Sequence, residues 1–207
     1  MIPLILGYRQ LTLLALALIL AGCASPSQPT RFYRLDGQTP LAVLPAPSPG
    51  GAQLPLLGVG PVSLASYLDR PQLIERSADH RLVLHEFDQW AGSLRENILA
   101  VMTREMQQTL PRVRVIGYPW NSAVRPGYEL VIDVSRFDRQ AGNISLQARW
   151  SLLAQPENRL IRLDQTAIET PLAGSDVESA VAASSQAVEM LAREISDQVR
   201  PLLGDQR

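Results

Sequence analysis

The chain has 207 residues, 19 basic and 20 acidic side chains, two histidines, one cysteine and a formal net charge of −1. All the basic residues are Arg. A near-neutral charge without a clustered basic surplus argues against a nucleic-acid footprint. One cysteine rules out an internal disulfide and a cysteine-based metal site.

Arg9 precedes an uncharged apolar run, Leu11 to Leu20, followed by Leu20-Ala21-Gly22-Cys23. A charged start, a short apolar stretch and small residues before a cut site read as a signal peptide over residues 1–22. The run is about half the roughly 20 residues that span a bilayer. Leu-Ala-Gly-Cys resembles the lipobox of bacterial lipoproteins, which makes Cys23 the candidate lipid-attachment residue and the acylated (palmitate-bearing) N-terminus of the mature chain. Acylation also removes a thiol that would be a liability in an oxidising compartment. Several chains on one N-terminus make a stable anchor, at roughly 0.8 kcal/mol per buried methylene. Ala24 rather than Asp follows the cysteine, which under enterobacterial sorting implies the outer membrane rather than the inner.

Residues 23–30 form a polar tether with Pro26 and Pro29. Its seven residues after the cysteine reach at most about 25 Å, so the folded domain, residues 31–207, sits close to its membrane. Arg31 to Leu35 reads as a first strand. Residues 36–55 carry five prolines and Gly50-Gly51, a composition that excludes a helix or central strand and reads as a loop. Leu56 to Leu64 is apolar and contains Gly58-Val59-Gly60-Pro61. That spacing echoes a dinucleotide loop, but the third glycine is missing and Pro61 stands in its place. Leu73 to Arg76 and Leu82 to Phe87 read as short strands.

Ser93 to Glu96 has the form of a capping box. It opens a helix whose stripe is Leu94, Ile98, Val101, Met102, Met106 and Leu110, stopped by Pro111. Trp90 reads as a buried staple against that helix. Arg112 to Gly117 follows as a strand. Tyr128, Leu130, Ile132 and Val134 alternate with more polar neighbours, and so do Ile144, Leu146, Ala148, Trp150 and Leu152. With Gly142-Asn143 as the turn signal, this is a half-buried antiparallel pair. Gln155 to Asn158 makes a second turn, and Leu160 to Thr170 a third strand. Ser175 to Glu178 is a second capping-box pattern. It opens a helix with Val177, Val181, Ser184, Val188, Leu191, Ile195 and Val199 at spacings of three and four. Glu189, Arg193 and Asp197 are spaced to pair along its outer face. Packing on the sheet is expected of this helix, with a coiled coil as the rival reading.

Chemistry-bearing patterns are sparse. His80 and His85 are five apart on an expected strand and should face opposite sides, so they do not suit one metal. No serine-hydrolase elbow, zinc-protease helix or phosphate loop occurs. The expectation is therefore a protein that is not an enzyme, with no cofactor and no metal. Binding is the remaining class, and Tyr67, Leu68, Arg70 and Trp90 are the candidate partner-binding residues, since Tyr, Trp and Arg are favoured interface anchors.

Gly58-Val59-Gly60-Pro61-Val62-Ser63-Leu64, Tyr67-Leu68-Asp69-Arg70-Pro71-Gln72-Leu73 and Phe87-Asp88-Gln89-Trp90-Ala91, after the opening Phe32-Tyr33-Arg34-Leu35, resemble the PqiC-type ABC-transport auxiliary lipoproteins. The resemblance spans essentially the whole mature chain. It departs after Trp90-Ala91, where Gly92-Ser93 replaces the more usual acid and Pro. It implies an α/β fold, a single three-layer α/β/α sandwich with a mixed sheet, anticodon-binding-domain-like. It also implies a periplasmic subunit that docks a mammalian-cell-entry (MCE) domain protein of an inner-membrane-linked system carrying lipids between the two membranes. A homo-oligomer matching the partner's symmetry is compatible with that geometry. The alternative function is a stand-alone lipid-binding or envelope assembly lipoprotein.

Overall fold

The computed structural model describes residues 28–37, 54–77 and 81–203. Cys23, His80 and residues 38–53 of the proline-rich segment lie outside the described residues. The elements run β1 (Arg31–Tyr33), β2 (Leu56–Leu64), β3 (Gln72–Arg76), β4 (Leu82–Trp90), α1 (Leu94–Thr109), β5 (Arg114–Gly117), β6 (Tyr128–Gln140), β7 (Asn143–Ala154), β8 (Arg159–Pro171) and α2 (Val177–Val199). A single 3₁₀ turn, Arg200–Leu202, follows.

The eight strands among the described residues join one mixed sheet, and β6 is its axis. Along one side β6 pairs antiparallel with β7 from Tyr128↔Ala154 to Gln140↔Asn143, and β7 pairs antiparallel with β8. On the other side its first half takes β2 in parallel, and Arg139 near its end meets Glu75 of β3. β5 extends β2 in parallel, β4 extends β3 antiparallel, and β1 joins β4 in parallel.

Both helices lie on the same face. α1 packs on β2 and β5, α2 packs on β7 and β8, and the helices pack on each other. The mixed-sheet α/β fold is therefore present, with a single helical layer in place of one on each face. Only two amphipathic stretches occur among the described residues, and each buries its stripe against the other as well as the sheet. Strand alternation puts Leu130, Ile132, Leu146, Ala148, Trp150 and Leu152 under the helices, all at most 1% exposed. The opposite face carries Asp133, Arg149 and Gln165, exposed neighbours across β6, β7 and β8. Packing of α2 on the sheet, rather than in a coiled coil, is thus observed.

Four local details depart from the sequence patterns. Ser93 is the N-cap of α1 but makes no side-chain cap bond; Asn97 Nδ2 instead donates to the Ser93 carbonyl at 2.9 Å. The cap of α2 is Asp176, not Ser175, and its carboxylate accepts from the Ser179 amide at 2.6 Å. The β6–β7 turn is Ala141-Gly142, with φ of 49° and 81°, and Asn143 already belongs to β7. Positive φ at both positions fits the twist of a two-residue hairpin. Finally, the expected Glu189–Arg193 pair forms, at 3.4 Å, but Glu189 is buried, and the exposed Arg193 also donates to Glu105 of α1 at 2.6 Å. That bond to Glu105 lifts the Arg193 pKa above its ordinary value. Asp197 pairs with Arg200 instead.

The glycines of Gly58-Val59-Gly60-Pro61 have a packing explanation. A β-carbon on Gly58 would lie 2.7 Å from the Trp120 ring, and one on Gly60 would lie 2.8 Å from Tyr118 Cβ. The segment after β5 folds its aromatics onto β2, with Tyr118 and Trp120 edge to face at 5.4 Å. These glycines admit a protein ring, and no nucleotide is needed to explain them.

Candidate partner-binding corner

The residues between β2 and β3 form a tight corner. Leu68 N donates to Ala65 O at 2.8 Å, Arg70 N to Leu68 O at 2.9 Å, and Trp90 N to Pro71 O at 2.7 Å. The last bond ties the corner to the end of β4, where Ala91 N in turn donates to Tyr33 O. Leu68 is 1% exposed and Trp90 7%. Trp90 stacks on Phe137 at 6.4 Å between centroids. Leu68, Trp90, Leu94, Phe137 and Asp138 contribute to the wall of a cavity of about 30 Å³, room for about one water molecule.

Of the four candidate residues, the corner brings Leu68 and Trp90 together inside the fold and leaves Arg70 at the surface. Tyr67 is half-buried, between the two. Its hydroxyl lies 3.3 Å from both the Ser135 carbonyl and Asp138 Oδ2. Burial first, and then the Asp138 charge, push its phenol pKa up. Asp69, beside Arg70, pairs with Arg95 of α1 at 3.1 Å.

Behind Tyr67 stands a cluster the sequence patterns did not mark. The Asp138 side chain is fully shielded from solvent. Arg76 donates to its Oδ2 from Nε at 3.2 Å and from Nη2 at 2.9 Å, and Arg136 Nε donates to Oδ1 at 3.1 Å. The hydrogen bond to Asp138 holds the Arg76 pKa above its ordinary value. Arg76 also lies over the Tyr67 ring at 5.8 Å. Strand alternation hides this carboxylate because the β6–β7 register shifts between Val134 and Arg136. Phe137 and Asp138 are therefore both buried. An Arg-x-Asp pair on a strand is the only sequence trace of the clamp.

A second carboxylate cluster closes the β1 end. Arg31 Nε pairs with Asp88 at 2.8 Å, and the Tyr33 hydroxyl lies 3.1 Å from Asp88 and 3.3 Å from Glu178 in the first turn of α2. Burial, reinforced by the Asp88 hydrogen bond, pushes the Tyr33 phenol up to about 12. His85 meets Glu75 at 3.3 Å. Among the described residues no three His, Cys, Asp or Glu side chains are grouped to hold a metal ion, and no helix is long and apolar enough to cross a membrane. The arrangement provides rigid polar clamps around a shaped corner.

Solved structures share this fold. An uncharacterized protein matches with a TM-score of 0.67 at 20% identity, over 83% of this chain and 99% of its own. A protein from Xanthomonas campestris matches with a TM-score of 0.65 at 20% identity, over 83% and 95%. A hypothetical protein from Chlamydia trachomatis matches with a TM-score of 0.52 at 10% identity, over 74% and 100%. No curated protein sequence matches the chain. The family model for the ABC-type transport auxiliary lipoprotein component matches residues 33–196. That match takes in the β2 glycines, the Tyr67–Leu73 corner, Trp90, α1 and α2 as far as Ser196, and the chain belongs to that family.

Proposed function

We propose that this chain is the outer-membrane-anchored, periplasmic lipoprotein subunit of an MCE-type intermembrane lipid transport system. It is not an enzyme: it supports envelope integrity by docking an MCE-domain protein. Residues 1–22 are the signal peptide, Cys23 carries the lipid, residues 23–30 are the tether and residues 31–207 the docking domain. The observation that carries the reading is the family match over residues 33–196, joined to the Leu20-Ala21-Gly22-Cys23 sequence before it. The corner of Tyr67, Leu68, Arg70 and Trp90 contacts the partner, with Arg70 reaching out and the buried Leu68 and Trp90 fixing the corner's shape.

The test is a mild-detergent pull-down of the full-length protein beside Cys23→Ala and Arg70→Glu, with membrane fractionation of each. The expected result is an MCE-domain protein recovered with the wild type, Cys23→Ala lost from the outer membrane, and Arg70→Glu anchored but depleted of partner. Recovery of the wild type without any MCE-domain protein overturns the docking role. The rival reading is a carrier that holds acyl chains in its own cavity; bound lipid found by mass spectrometry in the isolated protein would favour it.

A further inference from the structure

Exposed apolar side chains are not spread evenly over the described surface. Phe32 on β1 is the most exposed large apolar residue, at 65%, and Phe87 and Val83 on the neighbouring β4 are 44% and 43% exposed. The register Arg31↔Asp88 places Phe32 beside Gln89. The β3–β4 register shifts between Gln72 and Leu73, opposite Phe87, but Phe87 is exposed while Asp88 and Trp90 are buried, which puts it on the side of Gln89. Arg31, Tyr33 and Asp88 fall on the opposite side, where they bond to one another and to Glu178. Two phenylalanine rings thus stand out from the β1–β4 edge while their strand neighbours are clamped inward. Exposed Arg34 follows directly after β1.

The chain path gives this edge its place. Cys23 precedes Arg31 by eight residues, a reach of at most about 28 Å. A lipid on Cys23 therefore keeps β1 near the bilayer. By contrast, Leu160 and Leu163 project from the far edge strand β8, separated from β1 by the width of the sheet. Phe is one of the apolar residues that surface-lying segments bury at the headgroup boundary, and a basic neighbour is drawn to anionic headgroups.

We propose that the β1–β4 edge is a membrane-seating surface, with Phe32 and Phe87 inserted at the interface of the bilayer that holds the chain's own anchor. Seating fixes the orientation of the domain, which a lipid on a polar tether alone does not. The inference rests on the lipid-anchored reading above. Its occupant is the bilayer surface, and a protein partner on the same edge is an outcome the test separates.

The experiment uses the full-length lipoprotein in vesicles of phosphatidylethanolamine with a minor share of phosphatidylglycerol. Phe32→Cys and Leu163→Cys each carry an environment-sensitive fluorophore, and flotation is measured alongside. Co-flotation with a blue-shifted, iodide-shielded probe at position 32 and a solvent-exposed probe at 163 is expected. On unlabelled protein, hydrogen exchange of β1 and β4 amides should slow on vesicles relative to detergent, and Phe32→Ser/Phe87→Ser should lose that slowing while keeping its melting temperature. Co-flotation with equal exposure at 32 and 163 overturns the seating surface and leaves the anchor intact, as does shielding that appears only when a partner protein is added. Failure to float overturns the anchored reading, and the seating surface with it.

Discussion

The β6–β7–β8 meander is held by long antiparallel ladders between chain neighbours, whereas the β1–β4–β3 end is held by short, non-local pairings and by ionic clamps. In the meander alternate side chains from Tyr128 to Val134 and from Leu146 to Leu152 go under the helices, and Trp150, 1% exposed, donates from Nε1 to Thr166 at 3.2 Å. At the other end β1 has three residues and meets β4 across more than 50 residues of chain. Its polar contacts do the joining: Arg31 and Tyr33 to Asp88, and Arg76 of β3 to Asp138 near the end of β6. One region illustrates stabilisation by repeated apolar burial. The other illustrates fixed geometry from buried charge, which specifies shape more than it adds stability.

The largest effect that would break this contrast is in the meander. Trp150→Ala removes a fully buried ring and orphans Thr166, and should cost about 4 kcal/mol in urea unfolding. Because Trp150 sits on β7 beneath the helices and bonds to Thr166 of β8, the whole domain should lose stability in one transition. A second transition retained by the β1–β4–β3 end would show that the two regions fold separately.

Asp138→Ala probes the clamp instead. It leaves two guanidinium groups without their shared carboxylate. Each of those Arg side chains keeps 23% of its own exposure and can recover some hydration. The expected loss is therefore about 2–3 kcal/mol, at or below the low end of the roughly 3–5 typical when a buried pair is broken. Native-state hydrogen exchange should speed up at Tyr67 to Arg76 and stay slow in β7. Equal acceleration in both places would remove the distinction between the regions.

Gly58→Ala sharpens the comparison at the third edge, β2 and β5. The new methyl would overlap the Trp120 ring, so the ring must move off β2. Overpacking of this kind costs about 1–2 kcal/mol, and Trp120 fluorescence should shift red as the ring meets water. An unchanged emission maximum would mean that the backbone moved instead.

The same contrast governs what was legible in the sequence. The alternations at Tyr128–Val134 and Ile144–Leu152 and the two helical stripes identify their elements, because a period of two or three to four is a local property. The helices' common face was not legible, since which side of a sheet a helix covers depends on contacts far apart in the chain. The Asp138 clamp was hidden by a bulge that shifts the pairing by one residue, and the Asp176 cap by an adjacent serine that also fits the pattern. Tyr67, Leu68, Arg70 and Trp90 do come together, but two of the four face inward, because Trp90 N is drawn back to Pro71 O. Amino-acid type marks an interface candidate without marking its exposure.

Tyr33 joins the two regions, since its hydroxyl meets Asp88 of β4 and Glu178 of α2, and it carries the smallest effect. Its phenol is pushed from the ordinary value near 10 up to about 12, so the folded state holds that proton more tightly than the unfolded chain does. Such a group contributes stability that is fully present below pH 10 and is lost as the pH rises through 12. Tyr67, raised in the same direction by burial and by Asp138, adds to the loss. The window is unusually clean here, because a chain with no Lys has no ammonium group titrating near pH 10. Tyr33→Phe should therefore lower stability slightly at neutral pH and flatten its fall between pH 10 and 12. A variant whose alkaline unfolding curve runs parallel to the wild type's would mean that the hydroxyl does not couple β1 to α2, and that the two regions meet only through their apolar core.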